Sequence, residues 1–228
     1  MSEILNRAND CKKRFKLREA AALYEQYLNE APDDVKANAN LGICRMLSGE
    51  YRAAGEAFDK VLSFGRDDIV SVYRAAIAVL LGEKYDLSAL KNNAEAPSFF
   101  MDAIENVVDA KKYDDGLRMF EVFMEELNNA EWFGEADNQY RVIVLIVELG
   151  DIETAEALCR NLLAHTEFSW QGQAAHGRIL EAKGDSDGAK KAYDEAYRRG
   201  GECDARFMGD VKKAKFRMLN NGTWTPKL

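Results

Sequence analysis

Residues 41–61 read LGICRMLSGEYRAAGEAFDKV, and this stretch decides the fold. Gly49 divides it, and in the second half apolar residues recur three or four positions apart, as on one face of a helix. In the first half Leu41 stands beside Gly42, a residue small enough to let a second helix approach closely. The stretch therefore predicts two packed helices joined by a turn at Gly49. The recurring apolar positions are Tyr51, Ala54, Phe58 and Val61.

The same pattern recurs with a spacing of about 34 residues, which is a known period of two-helix repeats. Ala8, Gly42 and Ala76 are each 34 residues apart, so a small residue occupies the equivalent position in three successive repeats. The recurrence predicts a repeat architecture along the chain. Toward the other end Gly150, Ile152, Ala155, Cys159 and Leu162 recur one period later as Gly184, Ser186, Ala189, Tyr193 and Ala196.

These residues resemble the tetratricopeptide repeat family, in which a small residue at the helix crossing and an aromatic residue on the second helix let each pair stack on the next. The resemblance implies an all-α fold, an α-solenoid (superhelix) of about six helix-turn-helix repeats forming one domain over residues 1–228. The repeats are expected near residues 1–34, 35–68, 69–96, 97–130, 136–169 and 170–203, followed by a capping helix over 204–220 and a tail over 221–228.

The middle of the chain departs from the period. After Tyr85 the second helix of the third repeat is predicted to be cut short, because Asn92 and Asn93 fall where apolar contacts are expected. Pro97 then opens the next helix early. Residues 95–137 carry twelve acidic and three basic side chains, a net charge of −9. We expect the array to bend there, with the acidic block either a solvated face or a surface that attracts a basic partner.

One segment allows another interpretation. Residues 141–147, RVIVLIV, taken alone indicate a buried strand, and the helix after them would complete a βαβ unit. The agreement between Gly150 and Gly184 favours a helix instead. A helix that is apolar all round is expected to be buried on several sides or to face a groove.

Composition and charge exclude several classes of protein. The chain has 228 residues, 47% of them apolar, and a net charge of −8, so it is expected to fold and not to bind nucleic acid. No secretory signal opens it, and its apolar runs are far shorter than the roughly 18 residues that span a membrane. A cytoplasmic location is expected. The four cysteines, which are predicted to be free thiols, are Cys11, Cys44, Cys159 and Cys203.

Motifs for catalysis or metal binding are weak in this sequence. It contains no phosphate-binding loop, dinucleotide fingerprint or nucleophile elbow. Residues 185–188, DSDG, begin like a calcium loop, but no glutamate stands at the twelfth position, which favours a helix cap. His176 is expected to be a core or half-buried histidine. We therefore expect no enzymatic activity, no cofactor and no metal.

The resemblance also implies where a partner binds. In tetratricopeptide arrays the first helices of successive repeats line a concave groove that holds an extended peptide or an amphipathic helix. We favour apolar recognition at the centre of this groove, and the alternative is that these apolar residues are core. The residues expected to line the groove are Asn9, Lys12, Lys13, Lys36, Asn40, Ile43, Met46, Tyr73, Arg74, Ile77, Leu80, Met101, Glu105, Tyr140 and Arg141.

Some members of the family hold a C-terminal carboxylate in a clamp of lysine, asparagine and arginine residues. Asn9, Asn40 and Arg74 stand at matching places, while Leu5 and Val70 replace the two lysines, so the clamp loses most of its charge. The basic residues between positions 12 and 18 offer a phosphate site as one interpretation. The favoured one is a helix end, where cations suit the helix dipole.

The function that follows is that of a non-enzymatic scaffold or adaptor. It is expected to bind a partner peptide or helix in the groove. The alternatives are a scaffold that assembles with further copies of itself and a partner-specific chaperone that uses the same groove.

Overall fold

The computed structural model describes residues 2–65, 67–84, 93–127, 130–165 and 170–200. Over these residues the chain is α-helical and contains no β-strand, which confirms the predicted all-α fold. It forms two compact units, unit 1 over residues 1–128 and unit 2 over residues 129–228. The second helix predicted for the third repeat, the capping helix and the tail lie outside the described residues.

Unit 1 consists of helices that pack against one another in chain order. Each of the first five helices packs on the next, and the fifth then packs on both the sixth and the seventh. The helices are α1 (Glu3–Lys13), α2 (Leu17–Glu30), α3 (Val35–Ser48), α4 (Tyr51–Ser63), α5 (Asp68–Leu81), α6 (Ala96–Asp109) and α7 (Tyr113–Val122), and α7 continues into a π-helical turn (Phe123–Leu127).

Unit 2 follows the same plan. Its helices are α8 (Ala130–Gly134), α9 (Ala136–Glu148), α10 (Ile152–His165), α11 (Trp170–Ala182) and α12 (Ser186–Gly200). Helix α9 contacts α8, α10 and α11, and α11 packs along α12. Residues 141–147 lie inside α9, so the helix prediction is confirmed and the strand interpretation is wrong. Their continuous apolar run is explained by burial against three neighbouring helices.

Short side chains and glycines fix where the helices begin and end. The Asp34 and Asp67 carboxylates each accept a hydrogen bond of 2.9 Å from a backbone N–H in the first turn of α3 and α5. Asp185 does the same for α12, which confirms the predicted cap at residues 185–188. Gly49 has a left-handed φ of 85°, which suits a residue without a Cβ, and it ends α3 at the predicted turn.

A small residue opposite an aromatic ring sets the crossing of two helix pairs. A Cβ added to Gly42 on α3 would lie 2.5 Å from a ring carbon of Phe58 on α4. A Cβ added to Gly177 on α11 would lie 2.8 Å from the ring of Tyr193 on α12. Phe58 and Tyr193 are buried, so neither ring has room to move aside. The close approach of these helices therefore requires glycine.

A long-range contact joins the second helix pair of unit 1 to its last pair. The Tyr51 hydroxyl, at the start of α4, donates a hydrogen bond to the Asp115 carboxylate on α7. Lys112 lies with its Nζ atom 5.9 Å from the centre of the Tyr51 ring, and Asp115 also pairs with Arg118. Burial and the Asp115 carboxylate both raise the pKa of Tyr51 above its ordinary value. The hydroxyl therefore stays protonated and able to donate.

Helix α5 is surrounded by other helices of unit 1. Helices α3, α4, α6 and α7 all pack against α5, and α3 also contacts α6. Eight of the fourteen residues of α5 are buried. The helix is therefore the centre of unit 1.

The described residues include three of the four cysteines. Cys11, Cys44 and Cys159 are free thiols, as predicted, and Cys203 lies outside the described residues. Along the described part of the chain, every helix is too short or too polar to cross a membrane.

Replacing Gly42 with alanine should lower the free energy of unfolding by about 1–3 kcal/mol, because the added methyl group overlaps the fixed Phe58 ring. Gly55→Ala on α4 is the matched control, because its added Cβ would meet Ile77 at an ordinary 3.4 Å. It should raise stability by up to about 1 kcal/mol through helix propensity. Urea unfolding followed by circular dichroism measures both changes. Equal effects of the two substitutions would contradict the crossing described above.

Tyr51→Phe and Asp115→Ala should each destabilise the protein, and the two effects should not add. The coupling energy of a double-mutant cycle is expected to be about 1–2 kcal/mol, because a hydrogen bond to a carboxylate is lost once in either case. Additive losses in the same unfolding assay would show that the two side chains do not interact.

Candidate partner-binding surface

Most of the apolar residues predicted to line the groove lie in the core of unit 1, with the half-buried Ile43 as the exception. Ile77 on α5 is fully buried, and Tyr73 packs its ring 5.9 Å from that of Phe58. This arrangement follows from the enclosure of α5 by four helices. It matches the alternative interpretation, in which these residues are core. The buried set comprises Met46, Tyr73, Ile77, Leu80 and Met101.

Arg74 was expected in the groove, and the structure places it over α4. Its Nε atom donates a hydrogen bond of 2.8 Å to the Asp59 carboxylate, and its Nη1 atom lies 3.4 Å from a Glu83 carboxylate oxygen. Its guanidinium also lies 3.7–3.8 Å from the position of a Cβ added to Gly55. The arginine of the matching clamp pattern is thus engaged by two carboxylates of its own chain.

Three further predicted residues belong to helices α6 and α9. Glu105 is half-buried on α6 in unit 1. Tyr140 and Arg141 belong to unit 2, where both are buried in α9. The Tyr140 ring lies 5.9 Å from that of Trp170 on α11, which makes it part of the packing between these two helices.

The structure brings the predicted residues of α1 and α3 together. Lys12 on α1 donates a hydrogen bond from Nζ to Oδ1 of Asn40 on α3, at 2.5 Å. Ile43 lies one turn further along α3 and is half-buried, while Lys36 lies one turn before Asn40 and is exposed. The exposed Lys13 follows Lys12. We call the group formed by Asn9, Lys12, Lys36, Asn40 and Ile43 the α1/α3 surface.

Hydrogen bonding orients the two amides of this surface. Asn9 accepts a hydrogen bond of 2.6 Å at its Oδ1 atom from the hydroxyl of the buried Tyr24. Burial raises the pKa of Tyr24 to about 12, so the hydroxyl remains a donor. Asn40 accepts the Lys12 ammonium at its own Oδ1 atom. Because both amide oxygens are engaged as acceptors, both amide nitrogens are left to donate.

The Lys12 ammonium is a partly desolvated cation. Burial is the main cause that lowers its pKa below the ordinary value, and the neighbouring charge of Lys36 acts in the same direction. Burial also raises the pKa of Cys44 to about 11, so near pH 7 this thiol is neutral and offers Lys12 no negative charge. Its hydrogen bond to Asn40 joins it to a neutral amide. An added carboxylate would therefore stabilise the charge on Lys12.

Unit 2 contains a polar cluster that the sequence did not indicate. Glu181 on α11 is only 1% exposed, and it accepts a hydrogen bond of 2.6 Å from Tyr193. Arg178 pairs with Glu181 at 3.0 Å and also with Glu148 on α9. The sequence places Tyr193 sixteen residues after Gly177, which predicts contact between α11 and α12 but not the buried carboxylate of Glu181. This cluster holds α9, α11 and α12 together.

A cavity of about 170 Å³ lies between α10 and α11, and it includes a cysteine and a histidine. The Cys159 thiol donates toward the Gly172 carbonyl at 3.7 Å, and burial raises its pKa to about 11. The Glu156 carboxylate accepts a hydrogen bond of 2.6 Å from Lys183. His176 is half-buried, as predicted. Near pH 7 the sulfur is a protonated thiol, a far weaker nucleophile than a thiolate. The cavity lining is Glu156, Cys159, Arg160, Leu163, His176, Ile179 and Leu180.

Comparison with protein families supports the resemblance found in the sequence. The family model described as tetratricopeptide repeat matches residues 13–80, which extend from the end of α1 into α5. The suspected resemblance to this family is thereby confirmed for that part of the chain. No curated protein has significant similarity to the chain.

Several solved structures are similar at low identity. A tetratricopeptide repeat protein from Parabacteroides merdae is 15% identical, over 93% of this chain and 83% of its own, with a TM-score of 0.43. A thermophilic repeat protein from Thermus thermophilus is 16% identical, over 93% and 97%, with a TM-score of 0.36. YrrB, described as having an unusual peptide-binding site, is 15% identical, over 92% and 90%, with a TM-score of 0.33. These values establish no shared function.

Aspartate substitutions should separate core from surface. Ile77→Asp should lower the free energy of unfolding by about 3–5 kcal/mol, because it buries an unpaired carboxylate among α3, α4, α6 and α7. Ile43→Asp is the matched control on the half-buried surface of α3, with an expected loss of about 1 kcal/mol or less. Urea unfolding measures both. A stable, fully folded Ile77→Asp protein would show that α5 lines an open groove after all.

Proposed function

We propose that this chain is a non-enzymatic protein-interaction module that binds an extended, acidic segment of a partner protein on the α1/α3 surface. The observation that carries the proposal is the half-buried Lys12, which is hydrogen-bonded to the neutral Asn40 amide and lies close to Lys36. The match of a tetratricopeptide repeat to residues 13–80 supports it, because such repeats serve protein–protein interaction.

The chemistry of this surface favours a carboxylate. Lys12 and Lys36 supply positive charge, and the amide nitrogens of Asn9 and Asn40 supply neutral donors beside it. Carboxylate oxygens accept from both kinds of group, and hydrogen bonds between charged groups are the stronger ones. A glutamate or aspartate side chain, or the end of a polypeptide chain, provides the required group.

The α1/α3 surface differs from the carboxylate clamp of the family in the position of its positive charges. Arg74 is held by Asp59 and Glu83, and Val70 is buried where a lysine would stand. The positive charge is therefore concentrated on α1 and α3 rather than spread over three repeats. We infer recognition of one carboxylate together with an apolar neighbour that covers Ile43.

The size of the surface sets the strength of binding. Hydrogen bonds to charged groups contribute about 1.5–3 kcal/mol each. Covering an apolar side chain fully contributes about 1.5–3 kcal/mol. Association costs about 4–15 kcal/mol, so this surface alone supports only moderate affinity. Tighter binding requires that the partner extend over further helices.

Neutralising two lysines should abolish binding without unfolding the protein. The tagged full chain is used to capture partners from its native lysate, and recovered proteins are identified by mass spectrometry. We expect the Lys12→Gln, Lys36→Gln variant to lose partners that the wild type retains, and we expect higher salt to weaken their recovery. The stability of this variant should stay within about 1 kcal/mol of the wild type, because Lys12 is partly desolvated.

The matched control is Lys190→Gln, Lys191→Gln, which removes two exposed lysines from α12 in unit 2. It should capture the same partners as the wild type. Undiminished recovery by the Lys12 and Lys36 variant would contradict the proposal, as would equal losses from the two double variants.

A further inference from the structure

A second surface, independent of the α1/α3 surface, lies on α7 and the π-helical turn that follows it. Leu117 is 45% exposed and Met124 is 38% exposed, although both are large apolar side chains. Phe120 lies between them in sequence, half-buried and stacked 6.3 Å from the ring of Phe123. We call Leu117, Phe120 and Met124 the α7 stripe.

Acidic side chains flank this stripe. Asp114, Glu121 and Glu125 are exposed, and Glu121 lies one turn after Leu117 on the same side of the helix. The segment from Tyr113 to Leu127 carries five carboxylates and one guanidinium, a net charge of −4. The guanidinium, on Arg118, is paired with Asp115. An apolar stripe bordered by negative charge is complementary to an amphipathic helix bordered by positive charge.

The chain itself contains such a segment near its end, beyond the described residues. In the helix predicted over residues 204–220, apolar residues recur at the spacing of one helix face. Residues 204–220 carry five basic side chains and two acidic side chains, a net charge of +3. The basic residues are Arg206, Lys212, Lys213, Lys215 and Arg217, and the apolar face is Phe207, Val211, Ala214 and Met218.

We propose that the α7 stripe is the docking site for residues 204–220 of a second copy of this chain. The net charge of −4 on residues 113–127 is opposite in sign to the net charge of +3 on residues 204–220. Leu117, Phe120 and Met124 supply the apolar contact for Phe207, Val211 and Met218. Because the stripe and the segment are different parts of the chain, the contact is heterologous and joins copies head to tail.

This geometry determines how the protein assembles. Each copy offers one stripe and one basic segment, so association increases with protein concentration and weakens as salt screens the charges. The stripe shares no residue with the α1/α3 surface, so assembly and partner binding can be tested with separate variants.

Charge reversal on each side of the contact tests the proposal. One variant carries Glu121→Lys and Glu125→Lys, a second carries Lys212→Glu, Lys213→Glu and Lys215→Glu, and a third carries all five changes. Sedimentation velocity of the full chain over increasing concentration measures the average mass. Wild type should rise above the monomer mass, each one-sided variant should remain monomeric, and the five-fold variant should associate again.

Controls separate the contact from misfolding and from the proposed partner binding. Lys190→Glu, Lys191→Glu on α12 and Lys12→Gln, Lys36→Gln should both associate like the wild type. Circular dichroism should show that the one-sided variants keep wild-type helix content, and restored association of the five-fold variant excludes misfolding as the cause of their loss.

Four results would overturn the proposal. The first is a wild type that is monomeric at every concentration, and the second is association that survives in both one-sided variants. The third is a five-fold variant that fails to associate. The fourth is cross-linking between the stripe and residues 204–220 that forms only within one copy. Loss of a foreign protein from the Glu121 and Glu125 variant, with a monomeric wild type, would assign the stripe to that foreign protein instead.

Discussion

The close crossing of two helices at a small residue is the constraint on which the structure depends. The Phe58 ring packs against Gly42, and the Tyr193 ring packs against Gly177. In each pair the two residues are sixteen positions apart in the sequence. A larger side chain at either glycine would push the two helices apart and open the core beside them. Because successive helices pack on these pairs, the crossing also decides which faces remain at the surface.

Much of this organisation is predictable from the sequence because it is local. A glycine such as Gly49 ends a helix, an aspartate such as Asp185 begins one, and a glycine such as Gly42 or Gly177 marks a close helix crossing. The period also outweighs the strand-like composition of residues 141–147. Each of these signals acts within a few turns of helix, which a sequence pattern records.

The environment of α5 is not predictable in this way. Helices of different repeats meet around α5, and one contact between them, the hydrogen bond from Tyr51 to Asp115, joins residues 64 positions apart. A helix that lines a groove and a helix enclosed by four neighbours show the same periodic pattern of apolar residues. The sequence therefore predicted Asn9, Lys12 and Asn40 on a shared surface, but it did not distinguish whether Ile77 belongs to a groove or to the core.

Enclosure of α5 removes its apolar side chains from the surface, and for this reason the proposed recognition rests on the polar α1/α3 surface. The most direct test of that claim is native-state hydrogen exchange of the full chain, resolved by helix. If α5 is enclosed, its amides should be the slowest to exchange in unit 1, and those of α1 should exchange far faster. Equal protection of α5 and α1 would contradict the enclosure, because an open groove helix would exchange like its neighbours at the surface.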